Sequence, residues 1–269
     1  FKGWPAPETG LGHLRGPAGV ADDLKWAGFD MVNMANNHTT DWGIEGMIAT
    51  MKVLDKAGLV RAGAGMTLSE ASLAGYFNTN KGRFALVGFA TSFTPKSRAG
   101  EMRSGIKGRP GLNPLRIERT YQISKADMAD LGRIAAGLGS RFSIREDGSA
   151  RFMGNTFVQG SKTKVLGKRN ADDEQRILHY VNSASKMADF VIVTSHSHDS
   201  GKTRDEPPEY IKEFARKLID AGATTYIIHG PHKVRGIEIY KGKPIFYGLG
   251  DFFFQFETHI THLLRFNII

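Results

Sequence analysis

The stretch VNMANNHTTDWG (Val32–Gly43) places amide and imidazole side chains directly after an apolar run that is typical of a buried strand. Asn36, Asn37 and His38 follow this run, and Asp41 comes three residues after His38. One interpretation is an Asx turn followed by Asp41 as a helix N-cap. The other is a site in which metal-ligating or acid/base groups lie where a sheet meets solvent. The other strand ends of the chain bear on this choice.

Apolar runs alternate with amphipathic stretches along the chain, a pattern typical of strands and helices in a mostly parallel sheet. The predicted strands are Phe29–Ala35, Phe84–Ala90, Phe190–Ser195 and Thr224–Ile228. The predicted helices are Gly19–Ala27, Ile44–Ala57, Lys125–Gly137, Asp172–Met187 and Pro208–Ala221. Glycine just beyond two of these helices, at Gly58 and Gly222, is typical of left-handed C-caps.

Two further regions have a different pattern. Residues Val234–Glu257 alternate apolar and polar side chains around Lys241-Gly242-Lys243, which predicts a β-hairpin that runs into a third strand and adds antiparallel strands to the sheet. Residues 94–169 are rich in Gly, Arg and Ser, which predicts a long insertion or flap around one helix. The whole chain, residues 1–269, is therefore predicted to be a single domain.

Two later predicted strands also end in polar clusters, SHSHD at Ser195–Asp199 and HGPH at His229–His232. In open α/β sheets ligands bind at the carboxyl ends of the strands, so we expect these clusters to meet the Asn-Asn-His cluster at one edge. His196 and His198 are two residues apart and project from one face of an extended segment. Imidazoles with amide and carboxylate oxygens bind borderline divalent metals, so the sequence predicts a metal site.

Composition excludes several classes of protein. The 269 residues contain no cysteine, which removes disulfides, thiolate zinc sites and cysteine nucleophiles but suits both the cytoplasm and an exported compartment. The net charge of +9 favours attraction to a polyanion, although scattered surface charge is an equally simple interpretation. No apolar run approaches the roughly 20 residues that cross a bilayer. The opening FKGWPAPETG resembles a loop within a domain, so we expect that a leader or a first strand precedes it.

Other motifs in the sequence do not predict a binding site. HSHDSGKT ends like a phosphate-binding loop but has His196 where the first glycine belongs, so nucleotide binding is not expected there. The segment Gly63–Thr67 lacks the full dinucleotide fingerprint and is predicted to be a turn. Aromatic and basic residues do not interleave as in a nucleic-acid module, so a nucleic-acid partner is the poorest hypothesis.

Three blocks of the sequence resemble the CapA family, whose members are associated with poly-γ-glutamate capsule synthesis and share the calcineurin-like metallophosphoesterase fold. The blocks are GFDMVNMANNHTTDWGIEGMIATMKVLDKAGLVRAGAG, ADFVIVTSHSHDS and LIDAGATTYIIHGPHKVRGIEIYKGKPIFYGLGDFFFQ. Together they cover about half of the chain, and their order and spacing are specific. The resemblance implies an α/β fold in which a sandwich of two β-sheets is flanked by helices, with a metal centre at the strand ends.

The resemblance also implies roles for particular residues. Carried over from the metallophosphoesterases, Asn37 is a metal ligand and His38 is a general acid or a transition-state stabiliser. We expect Asp41 or Asp199 to hold the His38 ring. The other expected ligands are three histidines of the later blocks, His196, His229 and His232. His198 is expected to be a further ligand or a catalytic neighbour. The family begins with a strand that carries an Asp, followed by a segment that carries a Glu; this strand is not evident here, and Glu8 is the one candidate for the Glu. Asp251 replaces the family's Asn and adds a carboxylate.

The function implied by the resemblance is metal-dependent hydrolysis with one or two Mn, Fe or Zn ions. The expected substrate is a phosphoester or a γ-glutamyl polymer, and a capsule synthase complex is a further expected partner. The alternative is a non-catalytic factor that binds polyanion or the synthase. The resemblance favours the cell envelope or an extracytoplasmic location, with the cytoplasm left open.

Overall fold

The computed structural model describes residues 13–251, in which helices and strands alternate along the chain. The helices are α1 (Val20–Trp26), α2 (Gly43–Lys56), α3 (Leu68–Ser72), α4 (Lys125–Gly137), α5 (Ala171–Ser185) and α6 (Glu209–Asp220). The strands are β1 (Met31–Asn33), β2 (Val60–Ala62), β3 (Ala64–Gly65), β4 (Gly75–Thr79), β5 (Gly82–Ala90), β6 (Gly111–Leu112), β7 (Ile117–Ile123), β8 (Ser149–Phe152), β9 (Asn155–Gln159), β10 (Lys164–Arg169), β11 (Phe190–His196), β12 (Thr225–His229), β13 (Ile237–Tyr240) and β14 (Lys243–Phe246).

A six-stranded sheet with the order β13-β14-β12-β11-β5-β4 positions the site. Its four central strands are parallel, and only the edge strands β13 and β4 run antiparallel to their neighbours. In this register His196 pairs with His229 on one side and with Ala90 on the other. The carboxyl ends of β5, β11 and β12 therefore meet at one edge, which brings the two later polar clusters together as the sequence predicts. The strand before the Asn-Asn-His cluster, β1, differs from the prediction, because it pairs with β2 in a separate two-stranded sheet.

Side-chain alternation along the central strands builds two layers of core. Val87 and Phe89 of β5 point to one face, where they join a core formed with α5 and α6 that includes Phe214. Complete burial of an apolar side chain of this size contributes roughly 1.5–3 kcal/mol, so this core is a major source of stability. Gly88 points to the opposite face, toward the parallel pair β1-β2, and Met47 of α2 covers the outside of that pair.

The structure confirms the predicted mixed α/β fold with sheets flanked by helices, an arrangement consistent with a metallophosphoesterase-like fold. The predicted C-cap glycines are also confirmed, since Gly58 and Gly222 have φ of 73° and 113°. Predicted strand and helix ends differ from the observed ones by up to two residues. The segment Gly63–Thr67, predicted as a turn, contains the short strand β3.

The tail differs in one respect from the prediction. β13 and β14 form the predicted hairpin around Lys241 and Gly242, but β14 pairs in parallel with β12, so only β13 adds an antiparallel strand. Residues 252–257, which belong to the predicted third strand, lie outside the described residues.

The predicted insertion contains more regular structure than expected. Besides α4 it holds a second sheet of four strands in the order β10-β7-β9-β8. Sequence patterning missed these strands because they carry many charged and polar residues, as in Lys164–Arg169. Within residues 13–251, no helix is both long enough and apolar enough to cross a membrane.

Candidate functional site

The loop after β1 forms its turn through Asn36. The Asn36 Oδ1 accepts a hydrogen bond of 2.8 Å from the backbone N–H of His38, which is an Asx turn. The alternative role of Asp41 as a helix N-cap is wrong, because Trp42 occupies the N-cap position of α2 and its side chain makes no capping hydrogen bond. The Asp41 carboxylate is thus left for another role.

That role is to hold His38. The Asp41 Oδ2 lies 2.7 Å from His38 Nδ1 and also accepts a 2.9 Å hydrogen bond from the Leu14 backbone. The Asp41 side chain is 1% exposed, whereas the His38 side chain is 31% exposed. A buried carboxylate therefore orients the partly exposed imidazole of His38.

Asp199, the other residue predicted to hold His38, has different partners. Its carboxylate accepts hydrogen bonds from the Arg119 guanidinium and, at 3.0 Å, from Thr91 Oγ1. Arg119 belongs to β7, so this ion pair joins the four-stranded sheet to the strand end that carries His196 and His198.

The four histidines from the later clusters lie side by side in a row. The ring centroids of His196 and His229 are 5.1 Å apart, and those of His196 and His198 are 4.7 Å apart. His232 continues the row at 5.5 Å from His198. The backbone permits this because Gly230 has φ of 102°, and a Cβ there would lie 2.7 Å from Cε1 of His196.

The row is most buried at the end formed by His196 and His229, and this burial controls the charge of both rings. Burial, aided by neighbouring imidazoles, lowers the pKa of His196 from 6.5 to about 2, and burial lowers that of His229 to about 4. Burial and His232 lower the pKa of His198. The charge of His38 also contributes to the low pKa of His196, so the two histidine regions interact electrostatically. His196 and His229 are neutral at pH 7, the state in which imidazole binds metals.

Sequence reasoning missed Asn33, which links β1 to the row. Its Nδ2 lies 3.1 Å from Nε2 of His229, while its Oδ1 accepts a 2.9 Å hydrogen bond from the Ala35 backbone. Space for Asn33 comes from Gly63 and Gly88, where a Cβ would lie 2.3 Å and 2.1 Å from Asn33 Oδ1. An amide within a buried strand is a visible signal, but the facing glycines become recognisable only once the register is known.

The sequence offers two acidic residues as candidates for the site, Asp251 and Glu8. Asp251 lies at the end of the row, where its Oδ1 is 2.7 Å from Nδ1 of His232. Glu8 lies outside the described residues.

The donor set fits a divalent metal in its chemistry. His196 Nε2 and Asn37 Oδ1 are buried and have no hydrogen-bond partner within residues 13–251, a costly state for buried polar atoms. Both are atoms of the kind that ligate borderline metals. Over the same residues no three His, Asp or Glu side chains form a ready group around one point.

The layered sheets flanked by helices define the class, an α/β protein whose fold is consistent with a metallophosphoesterase-like one. Residues 1–256 match the family model described as "Bacterial capsule synthesis protein PGA_cap". The chain belongs to this family, which confirms the resemblance drawn from the three sequence blocks.

Similar proteins come from several bacteria. "Uncharacterized protein y4sH" of Sinorhizobium fredii (strain NBRC 101917 / NGR234) is 40% identical over 256 residues, which are 95% of this chain and 56% of that protein. "Capsule biosynthesis protein CapA" of Bacillus anthracis is 27% identical over 90% of this chain and 44% of its own length. "PGA biosynthesis protein CapA" of Bacillus subtilis (strain 168) is 28% identical over 86% of this chain and 44% of its own length. The chain thus spans about half the length of the relatives it matches.

Proposed function

We propose that this chain is a metal-dependent hydrolase that acts on an anionic substrate in capsule or poly-γ-glutamate biosynthesis. The observation that carries the proposal is the buried His196, whose Nε2 has no hydrogen-bond partner within residues 13–251. A nitrogen in that position is destabilising unless a ligand satisfies it. The names of the two Bacillus relatives, a capsule and a PGA biosynthesis protein, support the biological setting.

We assign the metal ligands to Asn37, His196, His229 and His232, and expect one or two ions of Mn, Fe or Zn. Burial holds His196 and His229 in the neutral form, so proton competition for their nitrogens is weak at pH 7. A divalent ion bound there supplies Lewis-acid chemistry, because it polarises a substrate oxygen and lowers the pKa of water toward neutrality.

His38 acts as the general acid in this proposal. Asp41 accepts a hydrogen bond from Nδ1, which fixes the ring and directs Nε2 away from the carboxylate. In this role the imidazole donates a proton to the leaving atom from Nε2. His198, more exposed than His196 and next to it in the row, is in position to orient substrate. The cleaved bond in this proposal is a phosphoester or a γ-glutamyl amide, and the family's link to capsule synthesis supports a location at the cell envelope.

A second candidate function is a non-catalytic factor that binds polyanion or a capsule synthase complex. The observation that favours it is that no three His, Asp or Glu side chains within residues 13–251 form an ion-holding group. A Mycobacterium tuberculosis (strain CDC 1551 / Oshkosh) relative, 27% identical, has the name "Probable polyglutamine synthesis accessory protein MT0602".

The test compares hydrolysis by metal-stripped protein before and after addition of Mn²⁺, Fe²⁺ or Zn²⁺, with aryl phosphoesters and poly-γ-glutamate as substrates. The proposal predicts that at least one metal restores activity to the wild type but not to His196→Ala. His179→Ala is the matched control, since His179 is an exposed histidine of α5 that contacts Tyr180. Binding of poly-γ-glutamate without hydrolysis under any metal, and equally strong in His196→Ala, would support the non-catalytic factor instead.

A further inference from the structure

Beside the histidine row lies a cleft of about 230 Å³ that is lined by three arginines, Arg98, Arg116 and Arg119. We propose that this arginine cleft binds an oxyanion, a carboxylate or a phosphate, in a part of the substrate remote from the reacting bond. The inference rests on the proposed anionic substrate and adds to it a second point of recognition.

Buried carboxylates hold two of the arginines in place. Arg116 donates from Nε and Nη2 to Asp173 at 2.6 and 3.0 Å, and the Asp173 side chain is 1% exposed. Arg119 is held in the same way by Asp199. A guanidinium that is already fixed loses little conformational entropy when it binds an anion, so these side chains are preorganised for recognition.

The cleft nevertheless keeps an excess of positive charge. Asp173 is shared with a further arginine, since Arg176 Nη1 donates to it at 2.6 Å. Arg98 makes one side-chain hydrogen bond within residues 13–251, from Nε to the Pro95 carbonyl at 2.9 Å, which leaves both Nη groups available. Charge-assisted hydrogen bonds from such groups to oxyanions are among the strongest that proteins form.

The cleft lies next to the strand end that carries the histidine row, because Thr91 borders both. The Thr91 backbone N–H donates to the His196 carbonyl at 2.9 Å, and Thr91 also lines the cleft. Phe93 and Ile117 give the cleft an apolar wall, which suits the carbon segments between the charged groups of an extended chain. The cleft and the row are therefore neighbours, and the proposal assigns them to two parts of one substrate molecule.

The chain reaches the cleft through the segment GRPGLNPLR (Gly108–Arg116), to which the proposed hydrolytic function gives no role. Its residues lie along the end of β5, where Ala90 N–H donates to the Asn113 carbonyl at 3.0 Å and Leu115 N–H donates to the Ala90 carbonyl at 2.8 Å. Arg116 at the end of the segment is thereby delivered to the cleft. A larger cleft of about 470 Å³ lies elsewhere and has no such charge, since its one arginine, Arg61, is paired with Asp55.

The test measures binding of two probes, a fluorescent γ-linked oligoglutamate and inorganic triphosphate, in the presence of chelator so that metal does not contribute. Arg98→Gln is the main variant because its side chain holds no other element in place. Arg133→Gln is the matched control, since Arg133 is a 74% exposed arginine of α4. We expect Arg98→Gln to weaken binding of one or both probes about tenfold, and Arg133→Gln to change it less than about twofold.

The outcomes separate the cleft from the proposed hydrolase. A loss confined to oligoglutamate assigns the cleft to carboxylates, and a loss confined to triphosphate assigns it to phosphates. Equal affinities of Arg98→Gln and Arg133→Gln for both probes would overturn the proposal that the cleft binds an oxyanion. Hydrolysis with an unchanged KM in Arg98→Gln would overturn the proposed oxyanion site but leave the proposed hydrolase intact. Binding that depends on the arginines, without any hydrolysis, would support the oxyanion site and overturn the hydrolase. Arg119→Gln gives a second measurement. Circular dichroism verifies its folding, because Asp199 loses the ion pair with Arg119.

Discussion

His38 and His196 are the same kind of side chain in opposite environments. His38 is partly exposed and is held at Nδ1 by the buried carboxylate of Asp41. His196 is 7% exposed, contacts other imidazoles, and has an Nε2 without a hydrogen-bond partner in the described part of the chain. The difference teaches that a histidine's role follows from its surroundings: an anchored, accessible ring suits proton transfer, and a buried neutral ring suits metal ligation.

The largest expected effect separates these roles by kinetics. His38→Ala should lower kcat by about 10²–10⁴-fold, the usual contribution of a general acid, while bound metal stays constant. Asp41→Asn should cause a smaller loss of about 10–100-fold, because Asn keeps an oxygen that can orient the ring. Steady-state kinetics with metal analysis of each variant checks both values. Loss of metal from His38→Ala would contradict the separate roles assigned to His38 and His196, since His38 would then be a metal ligand.

A second prediction concerns the space around His196. Gly230→Ala places a Cβ 2.7 Å from Cε1 of His196 and also forces alanine to adopt φ near 102°. Gly242→Ala is the control, because Gly242 has φ of 75° but a Cβ added there would meet no atom within 4 Å. Backbone strain of about 1 kcal/mol is common to both, and overpacking adds about 1–3 kcal/mol at Gly230 only. Urea unfolding measures this difference, and equal free energies of unfolding would mean that the histidine row is loosely packed.

A third and smaller effect is the pH dependence of stability in metal-free protein. The folded-state pKa values of His229 and His196 are lowered from 6.5 to about 4 and about 2. As pH falls below 6.5 the unfolded chain therefore binds protons that the folded chain does not, so their contribution to stability is complete above pH 6.5 and is lost toward pH 4. The slope is at most about 1.4 kcal/mol per pH unit for each imidazole. Thermal unfolding of the wild type and His196→Gln between these pH values checks this, and the variant should show the shallower slope.

The sequence predicted the central strands and most helices, since their apolar periodicity and C-cap glycines are local signals. It also predicted that the polar clusters after β11 and β12 meet at one edge, because these parallel strands share their carboxyl ends. It was wrong to place β1 in the same sheet, since β1 pairs with β2 in a separate sheet and reaches the histidine row through the contact of Asn33 with His229. It could not choose between Asp41 and Asp199 as the partner of His38. That choice depends on tertiary contacts, which place Asp199 against Arg119 of β7.

The strands β7 to β10 were missed for a related reason. A sheet with one exposed, charged face lacks the continuous apolar run that reveals a buried parallel strand. Asn33 was missed because its contact with His229 spans 196 residues of sequence and depends on glycines in two other segments. Residues whose role depends on such distant contacts require the structure.

The most direct test of the central claim is elemental analysis of purified protein for Mn, Fe and Zn, comparing the wild type with His196→Ala, His38→Ala and His179→Ala. Our account predicts one to two equivalents of metal in the wild type, His38→Ala and His179→Ala, with loss of metal in His196→Ala. Absence of metal from all four proteins after reconstitution, or retention of metal in His196→Ala, would contradict it.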